Sequence, residues 1–175
     1  MQDNDSTSDG VQEMGVGAVP DSETKLMLYN KSLKEIIEKV KDVDSLVSRM
    51  ATVAAVLRTH LSYYFWCGFY FAEEKNMVVG PYQGSTACAN IGYEGCCGTA
   101  AKNKETLIVP NVHEFPGHVA CDERSNSEIV VPLIDREHGV VIAVLDVDST
   151  VLNAFDEVDK DFLEKNIMPI LLDCF

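Results

Sequence analysis

Apolar residues recur at helical spacing in two segments near the start of the chain. The first segment begins at Ser22, and either Asp21 or Ser22 is placed to cap it. Its apolar positions fall on one helix face: Leu26, Met27, Tyr29, Leu33, Ile36, Ile37 and Val40. A second helix is expected from about Asp44 and Ser45. Its apolar stripe is too wide for an exposed helix, which predicts that this helix packs on a sheet.

Aromatic and β-branched residues dominate the middle of the chain and predict strands. The expected strands are 63–71, 77–82, 106–109, 129–134 and 140–147. The polar turn 73–76 joins the first two strands into a hairpin, and a turn containing Gly139 joins the last two. A short helix is expected at 95–101, before the third strand.

The two ends of the chain complete the predicted architecture. Residues 1–20 are rich in Asp, Ser, Gly and Asn and are interpreted as a disordered acidic tail, which leaves 21–175 as a single domain. A final helix is expected from about Asp156 through Leu171, with Pro169 kinking or ending it. Helices at both ends of five or six antiparallel strands predict an α+β fold, with the terminal helices packed on one sheet face.

Composition narrows the classes of partner. With 175 residues and 46% hydrophobic content, the chain is long enough for one full core and too short for a second large domain. A net charge of −14 argues against nucleic-acid binding, because neutralising phosphates requires clustered Lys and Arg. No apolar run approaches the roughly 20 residues of a membrane helix. The acidic N-terminus resembles neither a secretory signal nor a transit peptide, so we expect a cytoplasmic location.

The chain contains six cysteines: Cys67, Cys88, Cys96, Cys97, Cys121 and Cys174. In a secreted chain they could form a disulfide framework, whereas in a cytosolic chain such pairs are usually catalytic or redox-sensing. A domain of this length does not need disulfides to fold, which favours the second interpretation. Packing alone accounts for Cys67, inside a predicted strand, and for Cys174, at the helical end of the chain.

The segment 112–128 concentrates reactive side chains directly before an apolar strand. It holds Cys121 together with His113, His118 and Asp122. An exposed thiol is a liability unless its reactivity is used, so this segment is the expected location of the chemistry. Neither a Cys-x-x-Cys pair nor a His-x-x-x-His pair is present, so no metal site is predicted. The two histidines are expected to order the loop by hydrogen bonding.

Two further pairs of residues are placed to share a sheet face. Asp146 and Asp148 alternate with Val147, so both carboxylates point to the same side of the predicted strand. Inside so apolar a run they are costly unless they are paired or serve a ligand. The alternative is that the strand ends earlier and both are solvated. Trp66 and Tyr70 also share a face, where a core aromatic pair is the commoner outcome.

Five ordered motifs carry a family resemblance. The main one is Gly-His-Val-Ala-Cys-Asp at 117–122, followed by Ser-Asn-Ser-Glu-Ile-Val-Val-Pro at 125–132. It resembles the signature of the free methionine-(R)-sulfoxide reductases, which are small enzymes of the GAF fold. The other motifs are Trp-Cys-Gly-Phe-Tyr at 66–70, Gly-Pro-Tyr-Gln-Gly at 80–84 with Ala-Cys at 87–88, Gly-Cys-Cys-Gly-Thr-Ala at 95–100, and Leu-Asp-Val-Asp-Ser at 145–149. The resemblance spans roughly residues 25–173.

The resemblance implies roles for the cysteines. It assigns the attack on the sulfoxide to Cys121, the resolution of the resulting sulfenic acid to Cys88, and an alternative resolving role to Cys97. The chain departs from the family at Cys96, where a small aliphatic residue is common, and it has one residue fewer between Cys88 and Cys97. Thiol exchange among Cys88, Cys96 and Cys97 therefore stays open.

The resemblance also implies a substrate pocket. In it Glu128, Asp146 and Asp148 bind the substrate ammonium, and a protonated member of the three donates to the sulfoxide oxygen. Trp66 packs against the S-methyl group and Tyr70 lines the same cavity, as a small thioether-like ligand requires. No cofactor is implied. The external reductant is thioredoxin, and relatives of this type suggest a homodimer.

The leading functional hypothesis is reduction of free L-methionine (R)-sulfoxide through a sulfenic acid and an internal disulfide, as part of the response to oxidative stress. A GAF domain that only binds or senses a small molecule is the main alternative, because the same fold and pocket would suffice. A thiol redox switch without turnover is the third. A sensor has no need of Cys88 close to Cys121, nor of a set of catalytic acids. The presence of these residues therefore favours the enzyme hypothesis.

Overall fold

One antiparallel sheet forms the centre of the molecule. The structure, a computed structural model, describes residues 17–118 and 121–172. Within them lie six strands: β1 (Trp66–Ala72), β2 (Met77–Gln83), β3 (Asn90–Ile91), β4 (Leu107–Val109), β5 (Ser127–Ile134) and β6 (Val141–Ser149). They run in the order β3-β2-β1-β6-β5-β4, and all neighbours are antiparallel. The predicted α+β class and strand number are confirmed. Most of the predicted acidic tail, and Cys174, lie outside the described residues.

Two long helices precede the sheet, with the caps that the sequence predicts. The Asp21 side chain accepts a hydrogen bond from the Thr24 amide (2.8 Å) at the start of α1 (Ser22–Val40). The Ser45 hydroxyl accepts one from the Ser48 amide (3.3 Å) before α2 (Leu46–His60). Both helices bury an inner face, which in α1 includes Tyr29, Ile36 and Val40. The prediction was wrong for Leu26, Met27 and Ile37, which are exposed because the face that α1 buries is narrower than its apolar stripe.

The C-terminal helix continues past the proline that was expected to kink or end it. It consists of α4 (Glu157–Phe162), a π-helical turn (Leu163–Ile167) and α5 (Met168–Leu172), with Asp156 as its cap. Pro169 lies inside α5 and does not terminate it. Because proline lacks an amide hydrogen and its ring crowds the preceding turn, the widened π-helical turn directly before it accommodates the residue.

The sheet separates two cores. Alternate residues of the central strands, including Phe69, Val131 and Leu145, pack with α1, α2 and the C-terminal helix on one face. On the other face Tyr70, Val130 and others pack against α3 (Cys96–Asn103). This second, smaller core leaves space for a pocket above the central strands. Among the described residues, no helix has the length and hydropathy needed to cross a membrane.

Candidate active site

Three carboxyl groups meet on the face of the sheet that carries α3. Asp148 lies on β6, opposite Trp66 of β1 on one side and Glu128 of β5 on the other. Asp146 lies two residues earlier on the same face, while Val147 between them is buried in the opposite core. The strand therefore continues through both aspartates, and the expectation that they point together is confirmed. Register brings Glu128, 20 residues away along the chain, beside them.

An aromatic wall borders these carboxyls. The rings of Trp66 and Tyr70 stack with centroids 5.9 Å apart, and Tyr82 stacks on Trp66 at 5.4 Å. Both pocket aromatics also hold the loop that follows β2. The Trp66 indole donates to the Ser85 carbonyl (3.1 Å), and the Tyr70 hydroxyl donates to the Cys88 carbonyl (3.2 Å). Trp66 and Tyr70 thus form both a stacked aromatic pair and the wall of the pocket. They also position the loop that contains Cys88.

A disulfide between Cys88 and Cys121 closes the pocket. The two residues are 33 apart in sequence, and their Cα atoms are 5.6 Å apart. Cys88 lies on the loop between β2 and β3, and Cys121 on the loop before β5. The Ser85 hydroxyl donates to Asp122 (2.7 Å) and gives the two loops a second connection beside the disulfide. This is the cysteine pair that the family resemblance implies.

The pocket between these elements has a volume of about 120 Å³. Its walls include the disulfide cysteine Cys121, the aromatics Trp66 and Tyr70, and the carboxyl groups of Glu128, Asp146 and Asp148. No lysine or arginine occurs among the described residues that line it. Sites for drug-sized ligands run to roughly 300–1,000 Å³. A small ligand that carries a positive group fits both the size and the charge of this pocket.

Burial favours the protonated forms of the three acids in the unliganded pocket. Burial raises the pKa of Glu128 to about 8, and the nearby Asp148 carboxyl adds to the shift. Burial also raises the pKa of Asp146 and Asp148 well above the usual range, reinforced by Glu128 beside Asp146 and by Asp146 beside Asp148. One Asp146 carboxyl oxygen is buried and has no hydrogen-bond partner among the described residues. Neutral carboxyls of this kind are ready proton donors.

The remaining described thiols differ in their surroundings. The Cys97 Sγ lies 3.8 Å from a Glu128 oxygen, and burial next to Asp146 raises the pKa of this thiol well above its usual range. Cys96 also lines the pocket, and burial beside Glu128 raises its pKa as well. Cys67 is fully buried in the opposite core, in keeping with the packing role predicted for it.

The two histidines behave differently from each other. His113 meets the expectation of a loop-ordering residue, since its Nε2 lies 2.9 Å from the Asn126 side-chain oxygen. His118 does not, because its Nδ1 points into the pocket, 3.4 Å from Cys96 Sγ and 3.7 Å from a Glu128 oxygen. Burial, with His113 nearby, lowers the pKa of His118 and so favours the neutral imidazole.

Sequence reasoning missed the residues that connect the loops. Ser85 and Ser125 line the pocket, and Ser125 hydrogen-bonds Asp148. Asp122 binds Ser85 and is held by Arg124 through two side-chain contacts of 3.0 and 2.8 Å, which keeps the pKa of Asp122 well below its usual range. The position of Asp122 directly after Cys121 was the available signal.

Comparisons with known proteins agree with this geometry. The GAF domain model matches residues 45–166. A free methionine-R-sulfoxide reductase from Escherichia coli is 41% identical over 122 residues, covering 69% of this chain and 73% of that protein. One from Saccharomyces cerevisiae is 50% identical over 104 residues, which is 57% of each chain.

The structural comparison leads to the same family. The X-ray structure of free methionine-R-sulfoxide reductase from Neisseria meningitidis, in complex with its substrate, superposes with a TM-score of 0.79 at 38% identity. The match covers 88% of this chain and 90% of that one. The fold is therefore the GAF fold, and the resemblance inferred from the five motifs is confirmed. Together these relatives show that the chain belongs to the free methionine-R-sulfoxide reductase family of GAF-domain proteins.

Proposed function

We propose that this protein reduces free L-methionine (R)-sulfoxide to methionine, with Cys121 as nucleophile, Cys88 as resolving cysteine and thioredoxin as external reductant. One observation carries the proposal. The Cys88–Cys121 disulfide borders a small pocket that combines an aromatic wall with three buried carboxyls and, among its described residues, no lysine or arginine. That pairing of redox-active sulfur with an acidic, partly apolar cavity suits an amino acid whose side chain ends in a sulfoxide.

The pocket residues supply the binding contacts. The substrate ammonium lies against Asp146, Asp148 and Glu128, where its positive charge draws a proton off one of the coupled carboxyls. The S-methyl end packs on Trp66, and Tyr70 completes the apolar wall. This arrangement uses the free α-amino group directly, because an amide at that position carries no charge to match the buried acids.

The first chemical step transfers the oxygen. The Cys121 thiolate attacks the sulfoxide sulfur, and a pocket carboxyl that is still protonated donates to the departing oxygen. The hydroxyl group then passes from the substrate sulfur to the Cys121 sulfur as the transient bond between the two sulfurs breaks. Methionine leaves with two more electrons than the sulfoxide had, and Cys121 becomes a sulfenic acid. Raised carboxyl pKa values favour this role, since they keep a proton available at neutral pH.

The second step restores the enzyme. The Cys88 thiol attacks the Cys121 sulfenic acid, which forms the disulfide and releases water. Thioredoxin then reduces the disulfide by thiol exchange, which returns two thiols and leaves thioredoxin oxidised. The exposure of Cys121 and the partial exposure of Cys88 leave the disulfide accessible to a protein reductant.

A coupled assay tests this function. Thioredoxin, thioredoxin reductase and NADPH are combined with the protein, and NADPH oxidation is followed as each free methionine sulfoxide epimer is added. We expect oxidation that depends on the protein with the (R) epimer and background rates with the (S) epimer. Binding of the (R) epimer without any turnover by thioredoxin or a small dithiol would favour the sensor interpretation.

A further inference from the structure

Cys96 is the pocket thiol that the proposed reaction does not use. It is buried at the start of α3. Its thiol is free, because the disulfide joins Cys88 to Cys121. Its neighbours are His118 Nδ1 and Glu128, and each of the three residues comes from a different segment of the chain. A thiol, an imidazole and a carboxyl that converge in this way form a mixed sulfur, nitrogen and oxygen donor set.

From this convergence we infer that Cys96, His118 and Glu128 form a binding site for a divalent cation of the zinc type. Their donor atoms all lie within 4.8 Å of one another. Zn²⁺ takes thiolate, imidazole and carboxylate ligands in tetrahedral geometry. The spacing of cysteines and histidines in the sequence does not predict this metal site, because the fold brings its three residues together from distant parts of the chain.

The distances fit one ion. Zinc bonds of about 2.3 Å to sulfur and about 2.0 Å to nitrogen, at a tetrahedral angle, place those two donors about 3.5 Å apart. The same construction gives about 3.4 Å between nitrogen and oxygen. The observed separations are 3.4 Å from Cys96 Sγ to His118 Nδ1 and 3.7 Å from that nitrogen to Glu128 Oε2. Little movement is needed to place an ion between them.

The charge of the three residues and their position at the pocket also suit a divalent cation. One thiolate and one carboxylate neutralise a dication, which suits a pocket whose described lining contains no lysine or arginine. His118 Nε2 has no hydrogen-bond partner among the described residues, so no contact there prevents Nδ1 from offering its lone pair. All three ligands line the pocket, which provides a path of entry for an ion.

Occupation of this site has a functional consequence. An ion bound to Glu128 removes one carboxyl from the proposed ammonium site, so the cation and the substrate compete. This consequence rests on the proposed function, whereas the metal site itself does not. Because the thiolate ligand comes from Cys96, zinc sensitivity of substrate binding is expected to depend on this residue.

The test uses the oxidised protein, in which the Cys88–Cys121 disulfide removes both catalytic sulfurs as ligands. Zn²⁺ is titrated by calorimetry, and Co²⁺ serves as a spectroscopic probe because thiolate ligation produces a charge-transfer band. We expect one ion per chain and a thiolate band. Cys96→Ser and His118→Gln should each weaken binding by roughly 100-fold or more. Circular dichroism verifies that each variant is folded.

Two control variants locate the ion. Cys67→Ala removes a buried thiol on the opposite face of the sheet and should leave binding unchanged. Cys97→Ala removes the thiol of the neighbouring Cys97, Glu128 and Asp146 cluster. Loss of the thiolate band in Cys97→Ala together with its retention in Cys96→Ser would overturn the assignment. Absence of any stoichiometric Zn²⁺ binding to the oxidised wild-type protein would also overturn it, whatever the outcome of the reductase assay.

Discussion

At the scale of single residues, the surroundings of the thiols separate the nucleophile from its neighbours. Burial among carboxyl groups raises the pKa of Cys97 and Cys96, which suppresses the thiolate form that attack requires. Cys121 is exposed on a loop beside the same pocket. This difference in burial supports the proposal that Cys121 is the attacking sulfur.

Replacing the attacking sulfur should abolish the reaction. We expect Cys121→Ser to reduce methionine formation to the level of an enzyme-free control, because a hydroxyl neither ionises near neutral pH nor attacks sulfur comparably. Quantifying methionine after addition of the (R) epimer is the measurement. Cys67→Ser, which changes a buried thiol outside the pocket, is the matched control and should remain active. Near wild-type turnover in Cys121→Ser would rule out this nucleophile.

Removing the resolving sulfur should separate the two chemical steps. We expect reduced Cys88→Ser to form about one equivalent of methionine per chain and then stall with oxidised Cys121, since attack precedes resolution. Slow further turnover would identify Cys97 as a partial substitute. The measurement is methionine released per chain with thioredoxin present. Full multiple turnover would show that Cys88 is not the required resolver, and absence of the first equivalent would give Cys88 another role.

At the scale of secondary-structure elements, alternation along the strands made much of the site predictable. The period of two in β6 placed Asp146 and Asp148 together, and the same rule paired Trp66 with Tyr70. Strand register was not predictable from one sequence, so the position of Glu128 opposite Asp148 rested on resemblance until the structure gave it.

The contacts between loops could not be predicted from the periodicity of the sequence. The Ser85 to Asp122 hydrogen bond joins segments 37 residues apart, and no repeating pattern encodes it. The same is true of the Cys96, His118 and Glu128 cluster. The π-helical turn before Pro169 also went unpredicted, because a proline can either end a helix or be accommodated by a local change of hydrogen bonding.

A buried ionic cluster fixes α1 against the C-terminal helix. The Lys25 ammonium is 1% exposed; it binds Asp159, the Ala154 carbonyl (2.9 Å) and Asp156 (2.9 Å). The Tyr29 and Tyr63 hydroxyls both donate to the other Asp159 oxygen. A buried charged or polar atom needs a hydrogen-bonding or charged partner, because the protein interior has a low dielectric constant. Loss of one member of the cluster therefore leaves the others without a partner.

Removing the cation from this cluster should be strongly destabilising. We expect Lys25→Met to lower the free energy of unfolding by about 3–5 kcal/mol, because Asp159 is left buried without its counter-charge. Lys39→Met in the same helix removes an exposed pair with Glu35 and should change stability by less than about 0.5 kcal/mol. Urea unfolding measures both. Equal stability of the two variants would show that the buried cluster does not hold α1 in place.

At the scale of the whole molecule, the buried acids make stability depend on pH. The pKa of Glu128 is raised from 4.5 to about 8 in the folded protein, so the folded state retains a proton that the unfolded chain releases. Its contribution is fully present below about pH 4.5 and is lost as the pH rises through about 8. Protonation also relieves part of the repulsion that these acids would exert on a nearby thiolate.

This linkage gives a measurable difference between variants. Between pH 6 and pH 8 we expect wild-type protein to lose on the order of 2 kcal/mol more stability than Glu128→Gln, which has no proton to release. Glu74→Gln, on the exposed turn between β1 and β2, should follow the wild type. Chemical denaturation at the two pH values is the measurement. Parallel pH dependences in wild type and Glu128→Gln would mean that Glu128 is ionised in the folded protein.

The central claim is that the pocket acids recognise the free amino group of methionine (R)-sulfoxide. The most direct measurement compares kcat/KM for the free (R) epimer and for its N-acetyl derivative, with methionine or N-acetylmethionine quantified. We predict discrimination of about 10⁴-fold or more, since the uncharged amide of the derivative cannot form the ion pair that the free ammonium makes with a deprotonated pocket acid. Asp148→Asn should lose most activity on the free amino acid while remaining folded. Comparable efficiency on the N-acetyl substrate would contradict this account of the carboxyls.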